Sequence, residues 1–282
     1  MRPAEAARAP SIAPMPLADL GDVQLHYRDH GRPDAPPALG VMGFALDQRY
    51  WAAQIPALTA THRFVTFDNR GIGRSTGDAT VPLETMADDA VRLLDHLGID
   101  KAVVVGLSMG GTIAQHVVLD HPDRVAALVL GVTWARPLEF MRRQDDIGRV
   151  LVEARGPEWL MEVALLRMFT PRFFEMGAEA LDRMMRAMNA PGGPQGPTGE
   201  TLLAQIDALT KHDVLGRLGE VSCPTLVLGG KMDMMVPGFA SEEIAAAIPR
   251  AELTMFETGH GCMIEEMGDF NARISAFLAA QS

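Results

Sequence analysis

The chain has 282 residues, of which 48% are hydrophobic, and carries a formal net charge of -11 at pH 7. This length and apolar content are sufficient for one large α/β core. The negative charge argues against binding to nucleic acid or to acidic membrane surfaces, because both would repel it. No apolar run reaches the roughly 18 residues of a membrane-spanning helix.

The two cysteines, Cys223 and Cys262, lie far apart in the sequence. They define no disulfide framework, and a reducing compartment is therefore favoured. Residues 1–16 are rich in alanine and proline and lack the apolar segment of a signal peptide. We therefore expect a flexible N-terminal tail on a soluble, cytoplasmic protein, with a homodimer left open.

Strand-like and helix-like segments alternate along most of the remaining chain. Strands are predicted at residues 17–20, 23–28, 38–42, 64–67, 102–105, 126–130, 225–228 and 252–256, and helices at 83–97, 241–247 and 263–278. Alternation with short connections predicts an α/β fold, a doubly wound and mostly parallel β-sheet. The first two strands are expected to pair antiparallel.

The alternation stops between Trp134 and His212, where the composition is helical. We interpret this insert, residues 134–212, as a helical cap over an α/β core formed by residues 17–133 and 213–282. A run rich in proline and glycine inside the cap, residues 190–199, predicts a mobile loop that could gate access.

Large apolar side chains are frequent in the predicted cap, and four aromatic ones are candidates for lining a substrate pocket: Trp134, Trp159, Phe169 and Phe173. Packing of the cap helices against the core is the alternative explanation for most of the apolar residues there. A lining rich in methionine and phenylalanine would suit an apolar substrate of variable shape.

The most informative motif is Gly-Leu-Ser-Met-Gly at residues 106–110, which follows a β-branched run and precedes a helical pattern. In this strand–turn–helix context the motif predicts a nucleophile elbow. Small residues on both sides let the strand and helix backbones approach each other. Ser108 would then stand exposed at a helix N-terminus, where developing negative charge is stabilised.

A carboxylate and a histidine follow Ser108 along the chain, each just past a predicted strand. Asp233 follows the strand at 225–228, and His260 follows the strand at 252–256. Parallel strands bring such loops to one edge of the sheet, so the three side chains are expected to meet there. Serine, then acid, then histidine predicts a catalytic triad. Glu257 and Lys231 remain weaker alternatives, as the acid and as a catalytic lysine.

These features resemble the α/β-hydrolases from about residue 17 to residue 278. The segment Asp68-Asn69-Arg70-Gly71-Ile72-Gly73-Arg74-Ser75 is similar to the loop that follows the family's fourth strand, and residues 221–229 are similar to its entry into the acid-bearing strand. The amino-acid sequence of the elbow is similar to that of the branch that contains enol-lactone hydrolases, methylesterases and cofactor-free haloperoxidases. Asp68 and Arg70 are expected to be buried structural partners.

The resemblance implies that the backbone N–H groups of Phe44 and Met109 form the oxyanion hole. Many relatives have a histidine where this chain has Met42. That side chain is a structural support in the family, so the change affects the choice of subfamily more than the chemistry.

The resemblance also implies a serine hydrolase that cleaves a carboxylic ester or lactone of a small to medium apolar substrate. His260 would take the proton of Ser108, Asp233 would orient His260, and an acyl-serine would form. No metal or organic cofactor is implied. Hydrolysis of a C–C bond and perhydrolysis are alternatives on the same residues, and a ligand receptor of this fold with slow turnover is an alternative of another class.

Overall fold

The structure is a computed structural model that describes residues 16–188 and 196–281. Its centre is a sheet of eight strands in the order β1-β2-β4-β3-β5-β6-β7-β8. The strands are β1 (Leu17–Asp19), β2 (Gln24–His30), β3 (Pro37–Val41), β4 (Arg63–Phe67), β5 (Ala102–Leu107), β6 (Val125–Gly131), β7 (Thr225–Gly230) and β8 (Ala251–Phe256). β2 pairs antiparallel with β1 and β4, and the remaining pairs are parallel. The mostly parallel sheet and its antiparallel first hairpin are thus confirmed.

Helices cover both faces of the sheet. The core helices are α1 (Ile55–Thr59), α2 (Leu83–His96), α3 (Met109–Asp120), α8 (Phe239–Ala247), α9 (Cys262–Glu265) and α10 (Met267–Ala279). The apolar residues of α2, α3 and α8 pack with Val104 in one cluster, whereas those of α1 and α10 pack with Val103 and Val105 in another. Because neighbouring residues of β5 point to opposite faces, its continuous apolar run serves both layers, which makes the fold doubly wound.

The C-terminal helix differs from the sequence prediction. The helical pattern from residue 263 to residue 278 predicts one helix, but the structure breaks it at Glu266, whose φ of -122° and ψ of 48° are not helical. The apolar spacing is maintained on both sides of the break. The break leaves α9 as a single turn directly behind the loop of His260.

The insert between β6 and β7 holds four helices in the part of the chain that the structure describes: α4 (Glu139–Arg155), α5 (Pro157–Met168), α6 (Pro171–Met188) and α7 (Gly199–Leu209). A small apolar cluster joins α4, α5 and α7 to Ala45, which follows β3. These helices therefore lie over the strand ends that carry the predicted site. The predicted tail and the predicted mobile loop fall largely on residues 1–15 and 190–195, which lie outside the described residues.

The end of the insert is fixed to the core by two buried imidazoles. His212 Nε2 lies 3.3 Å from Trp134 O, and its Nδ1 lies 3.3 Å from His116 Nε2. Burial and the neighbouring His116 lower the pKa of His212 to about 3, so its ring is neutral near pH 7. Neutral His212 then donates to Trp134 O and accepts from His116. In the described residues, no helix combines the length and the apolar character that crossing a membrane requires.

Candidate active site

Ser108 lies on a strained turn between β5 and α3. Its φ of 55° and ψ of -122° are unusual for a residue with a side chain. The turn is fixed by its neighbours, because Ser108 N donates to Gly131 O over 2.8 Å and Thr133 Oγ1 donates to Ser108 O over 2.8 Å. Strain of this kind persists only where the surrounding structure enforces it, and it is concentrated at functional sites.

Two other residues with side chains also have positive φ in the described part of the chain. They are Ala45, with φ of 63°, and Val132, with φ of 46°. Like Ser108, they follow the carboxyl ends of strands, β3 and β6, which flank β5 in the sheet. The backbone strain is therefore concentrated at one point of the sheet edge.

Glycines beside Ser108 allow close backbone approach. A Cβ at Gly110 would lie 2.6 Å from Val41 C and 2.8 Å from Met42 O. A Cβ at Gly111 would lie 2.6 Å from the Cβ of Thr133. The glycines of the motif are thus required by packing between the elbow and the two neighbouring strands.

Asp233 and His260 meet at the carboxyl ends of β7 and β8. His260 Nδ1 lies 2.7 Å from Asp233 Oδ2, and both side chains are buried. Asp233 Oδ1 accepts from Met235 N over 2.7 Å and from Val236 N over 2.9 Å. With Nδ1–H donated to the carboxylate, the Nε2 atom of His260 is the one left to act as a base.

The two alternative residues of this edge point elsewhere. Lys231 forms an ion pair with Glu257, and both side chains are at least half exposed to solvent. Neither residue lines the cavities that touch Ser108. This arrangement is a surface pair next to the site, so the structure favours Asp233 as the acidic partner of His260.

Met109 follows Ser108 directly in the chain, and Phe44 lines the same two cavities as Ser108; the backbone N–H groups of both residues are the predicted oxyanion hole. Neither of them donates to an acceptor within the described residues. The segment after β3 is held from the cap, because Ala45 N donates to Gln205 Oε1 of α7 over 2.9 Å. Sequence reasoning missed Gln205, although a glutamine among the apolar residues of α7 was a visible signal.

The loop after β4 supports the same segment from below. Asn69 Nδ2 donates to Met42 O over 3.0 Å. Asp68 accepts from His26 Nδ1 over 2.8 Å, and Arg70 forms a buried bidentate pair with Asp89 at 2.6 and 2.7 Å. Asp68 and Arg70 are both buried, as predicted, but each is paired with a third residue, His26 or Asp89, and they are not paired with each other.

A clamp joins the segment between α5 and α6 to the loop of His260. Glu265 Oε1 accepts from Gly259 N over 3.0 Å and from Thr170 N over 3.1 Å, and its Oε2 accepts from Thr170 Oγ1 over 2.6 Å. Gly261 N donates to Met168 O over 2.7 Å. The position of His260 is therefore coupled to the cap, which no motif in the sequence indicated.

Two cavities meet at Ser108. The first is called the cap-side lobe; its lining includes Trp134, Met141, Gln144, Asp145, Leu160, Arg167, Ile206 and Leu209. The second is called the core-side lobe; its lining includes Met42, Leu46, Tyr50, Met161, Met168, His260, Met263 and Ile264. Phe44, Ala164 and Met235 line both lobes together with Ser108.

Of the four aromatic residues predicted to line a pocket, only Trp134 lies on these two cavities. Trp159 is 46% exposed, and the guanidinium of Arg155 lies 5.0 Å from its ring centre. Phe169 is buried against the backbone of Gly261 and stacks on Phe173 at 4.8 Å between ring centres. This placement corrects the predicted lining role of Trp159, Phe169 and Phe173, because apolar spacing does not distinguish packing from lining.

No group of three or more histidine, cysteine or acidic side chains in residues 16–188 and 196–281 could hold a metal ion. Cys262 is fully buried next to His260, and burial raises the pKa of its thiol far above the usual range. The thiol is therefore an apolar filler of the core rather than a nucleophile.

Comparison with known proteins gives consistent matches. The family model described as alpha/beta hydrolase fold matches residues 30–266. A curated relative from Caulobacter vibrioides named "Putative carbamate hydrolase RutD" is 33% identical over 259 residues, which cover 90% of this chain and 95% of the relative.

Two solved structures are similar along nearly the whole chain. The enol-lactonase from Burkholderia xenovorans LB400 has a TM-score of 0.84 at 27% identity, covering 94% of this chain and 100% of that one. A thermophilic esterase from Thermogutta terrifontis has a TM-score of 0.81 at 30% identity, covering 94% and 96%. With the elbow, the strand order and the paired Asp233 and His260, these matches show that the chain belongs to the alpha/beta hydrolase fold family and is a hydrolase.

Proposed function

We propose that the protein is a serine hydrolase that cleaves a carboxylic ester or lactone through an acyl-serine intermediate. The observation that carries the proposal is the arrangement around Ser108. Ser108 lies at the junction of two cavities, one of which His260 also lines, and His260 is bonded to Asp233 over 2.7 Å. The backbone N–H groups of Phe44, which lines both cavities, and of Met109 have no acceptor in the described residues. The similarity to an enol-lactonase and to an esterase supports the same bond class.

The proposed reaction uses only side chains and backbone of this chain. His260 Nε2 accepts the proton of Ser108 as Oγ attacks the carbonyl carbon, and Asp233 stabilises the resulting imidazolium. The carbonyl oxygen becomes negative and accepts from Phe44 N and Met109 N, each of which lowers the barrier by about 3 kcal/mol. The ester C–O bond then breaks as the leaving oxygen takes the proton from His260. His260 then takes a proton from water, whose oxygen attacks the acyl carbon; the bond from Ser108 Oγ to that carbon breaks, and Oγ takes the proton back from His260 as the acid leaves.

The test is hydrolysis of p-nitrophenyl esters from acetate to octanoate. We expect Ser108→Ala to lower kcat by about 10⁴-fold or more. Ser222→Ala, which changes an exposed serine outside the site, is the matched control and should leave kcat unchanged. Labelling with a fluorophosphonate, followed by mass spectrometry, should modify Ser108 alone. Turnover that survives in Ser108→Ala, or a label on another residue, would contradict the proposal.

A carbamate is the second candidate substrate, because the curated relative is named a putative carbamate hydrolase and the similarity covers 95% of its length. A carbamate carbonyl would be attacked by the same serine and would place its oxygen between the same N–H groups. Phenyl carbamates compared with phenyl esters of equal size distinguish the two bond classes. Faster turnover of the ester supports the first proposal, and faster turnover of the carbamate supports the second.

A further inference from the structure

The cap-side lobe contains charged groups that the proposed reaction does not use. Asp145 of α4 and Arg167 of α5 both line it, next to Gln144. The rest of the lining is mainly apolar, as in the core-side lobe. A substrate that needed only apolar contacts would gain nothing from a carboxylate and a guanidinium in this position, since burying each charge costs free energy.

The guanidinium of Arg167 has hydrogen-bond donors to spare. Arg167 Nη1 donates to Gln144 Oε1, and Gln144 Nε2 donates to Met235 O over 3.0 Å. Arg167 Nε is buried and has no partner in the described residues. Among the described residues Arg167 forms no ion pair; burial lowers its pKa, and the negative charge of Asp145 opposes that shift. The side chain is thus anchored through Nη1, and it lines the cavity with hydrogen-bonding capacity that the described residues leave unused.

The carboxylate oxygens of Asp145 can accept hydrogen bonds that the described residues do not provide. Within the described residues it forms neither a hydrogen bond nor an ion pair. Burial raises its pKa to about 6, with the positive charges of Arg149 and Arg167 opposing that shift. Asp145 and Arg167 therefore lie on one cavity without neutralising each other by direct contact.

The lobe thus presents free donors on one helix and free acceptors on another. A carboxylate in the lobe would satisfy Arg167 but would face the charge of Asp145, and an ammonium group would do the reverse. An apolar group would leave both unsatisfied, and unsatisfied buried polar groups are unfavourable. A neutral amide group offers a carbonyl acceptor and an N–H donor side by side, so it suits both.

The acyl part of the substrate is the part that this lobe would receive. His260 must reach the leaving oxygen to protonate it, and His260 lines the core-side lobe. The leaving group therefore belongs on that side of Ser108, and the acyl chain extends into the cap-side lobe.

We propose that the acyl chain of the substrate ends in a primary-carboxamide group, which accepts from Arg167 and donates to Asp145. This inference rests on the proposed ester hydrolysis at Ser108. It makes Arg167 and Asp145 the residues that determine specificity, with Gln144 holding the guanidinium in place.

The test compares three ethyl esters of matched length, with acyl chains that end in a carboxamide, a carboxylate or a methyl group, on glutarate and adipate skeletons. For the wild type at about pH 8, we expect kcat/KM to favour the carboxamide ester by about tenfold or more over both others. Arg167→Met and Asp145→Leu should each abolish that preference while the methyl-ended ester is still cleaved, which shows that the variants fold. Arg155→Met, which changes an exposed arginine of α4, is the control and should retain the preference.

Binding separates this inference from the proposed function. In the Ser108→Ala variant, calorimetry measures the affinity for the intact carboxamide and methyl-ended esters without turnover. Tighter binding of the carboxamide ester that disappears with Arg167→Met supports the subsite, even if the wild type cleaves no ester and the proposed function fails. A preference for the carboxylate or methyl ester, or a carboxamide preference that survives both substitutions, overturns the inference.

Discussion

The carboxyl ends of the strands, called the strand-end edge, and the cap-side lobe differ in how completely their polar groups are hydrogen-bonded. At the strand ends, both oxygens of Asp233 are bonded, one to His260 and one to two backbone N–H groups. In the cap-side lobe, Asp145 has no partner in the described residues, and Arg167 has a buried Nε without one. Groups that the fold satisfies completely are held in one geometry, whereas groups left unsatisfied at a cavity are available to a ligand.

The difference follows from how each region is built. A buried parallel sheet fixes the strand ends. It also holds Ser108, Ala45 and Val132 in their strained backbone conformations with positive φ. The helical insert meets that edge through the hydrogen bonds of Gln205 to Ala45 and of Thr170 to Glu265, and through a small apolar cluster. We therefore expect substitutions at the strand ends to lower the stability most. Substitutions at the contacts between the helical insert and the core should lower catalysis, and those in the cap-side lobe should change selectivity and the pH dependence of stability.

The largest effect is predicted for Gly110→Ala at the elbow. The added Cβ would lie 2.6 Å from Val41 C and 2.8 Å from Met42 O, and backbone atoms in a central strand cannot move away. We expect the free energy of unfolding to fall by about 3 kcal/mol or more. Chemical denaturation measures it.

Gly268→Ala is the matched control for this prediction. Gly268 is also the second residue of its helix, α10, but nothing lies within 4 Å of a Cβ built there. The substitution should leave the stability unchanged or raise it by up to about 1 kcal/mol. If both variants had wild-type stability, the close approach of α3 to β3 would not be a constraint.

The elbow was predictable from sequence because the requirement is local. A β-branched strand, a glycine on each side of a serine and a helical pattern are contiguous in residues 103–118, and the order of Ser108, Asp233 and His260 along the chain adds the rest. The strands themselves were located within a few residues for the same reason. Local pattern and alternation determine what a parallel sheet brings to its edge.

The contacts between cap and core left no such pattern. Gln205 bonds to the backbone of Ala45, 160 positions earlier in the chain, and Glu265 bonds to Thr170. Phe169 and Phe173 have the spacing of any buried helix face, so the sequence could not show that Phe169 packs on the His260 loop and Phe173 stacks on Phe169. The break at Glu266 also lacked a signal, because the apolar spacing continues through it.

An intermediate effect is predicted at the clamp. Glu265→Ala leaves Gly259 N and Thr170 N without their acceptor and loosens the loop of His260. We expect kcat to fall about tenfold, which corresponds to about 1.4 kcal/mol, with a smaller change in KM. Steady-state kinetics on the best p-nitrophenyl ester measures both parameters.

Rescue distinguishes positioning from a general loss of stability. Glu265→Gln retains an oxygen that can accept from both N–H groups and should recover most of kcat. Glu266→Ala, the adjacent acidic residue, is the control and should behave as the wild type. A Glu265→Ala variant that loses stability but keeps kcat would show that the clamp does not position His260.

The smallest effect is predicted for Asp145→Asn and depends on pH. Burial disfavours the carboxylate, so folded Asp145 ionises near pH 6 whereas the unfolded chain ionises near 3.8. Stability is therefore lost as the pH rises from 3.8 to 6, and the loss is complete above that range. After allowance for partial solvent screening, Asp145→Asn should raise the free energy of unfolding by about 1 kcal/mol at pH 8 and by little near pH 4.

Asp146→Asn is the control for this prediction. Asp146 is exposed and paired with Arg142, so its substitution should give no such gain. Equal effects of Asp145→Asn at both pH values would mean that this carboxylate is well solvated. Solvent would then satisfy the carboxylate of Asp145, and the cap-side lobe would resemble the strand-end edge in leaving no carboxylate without a partner.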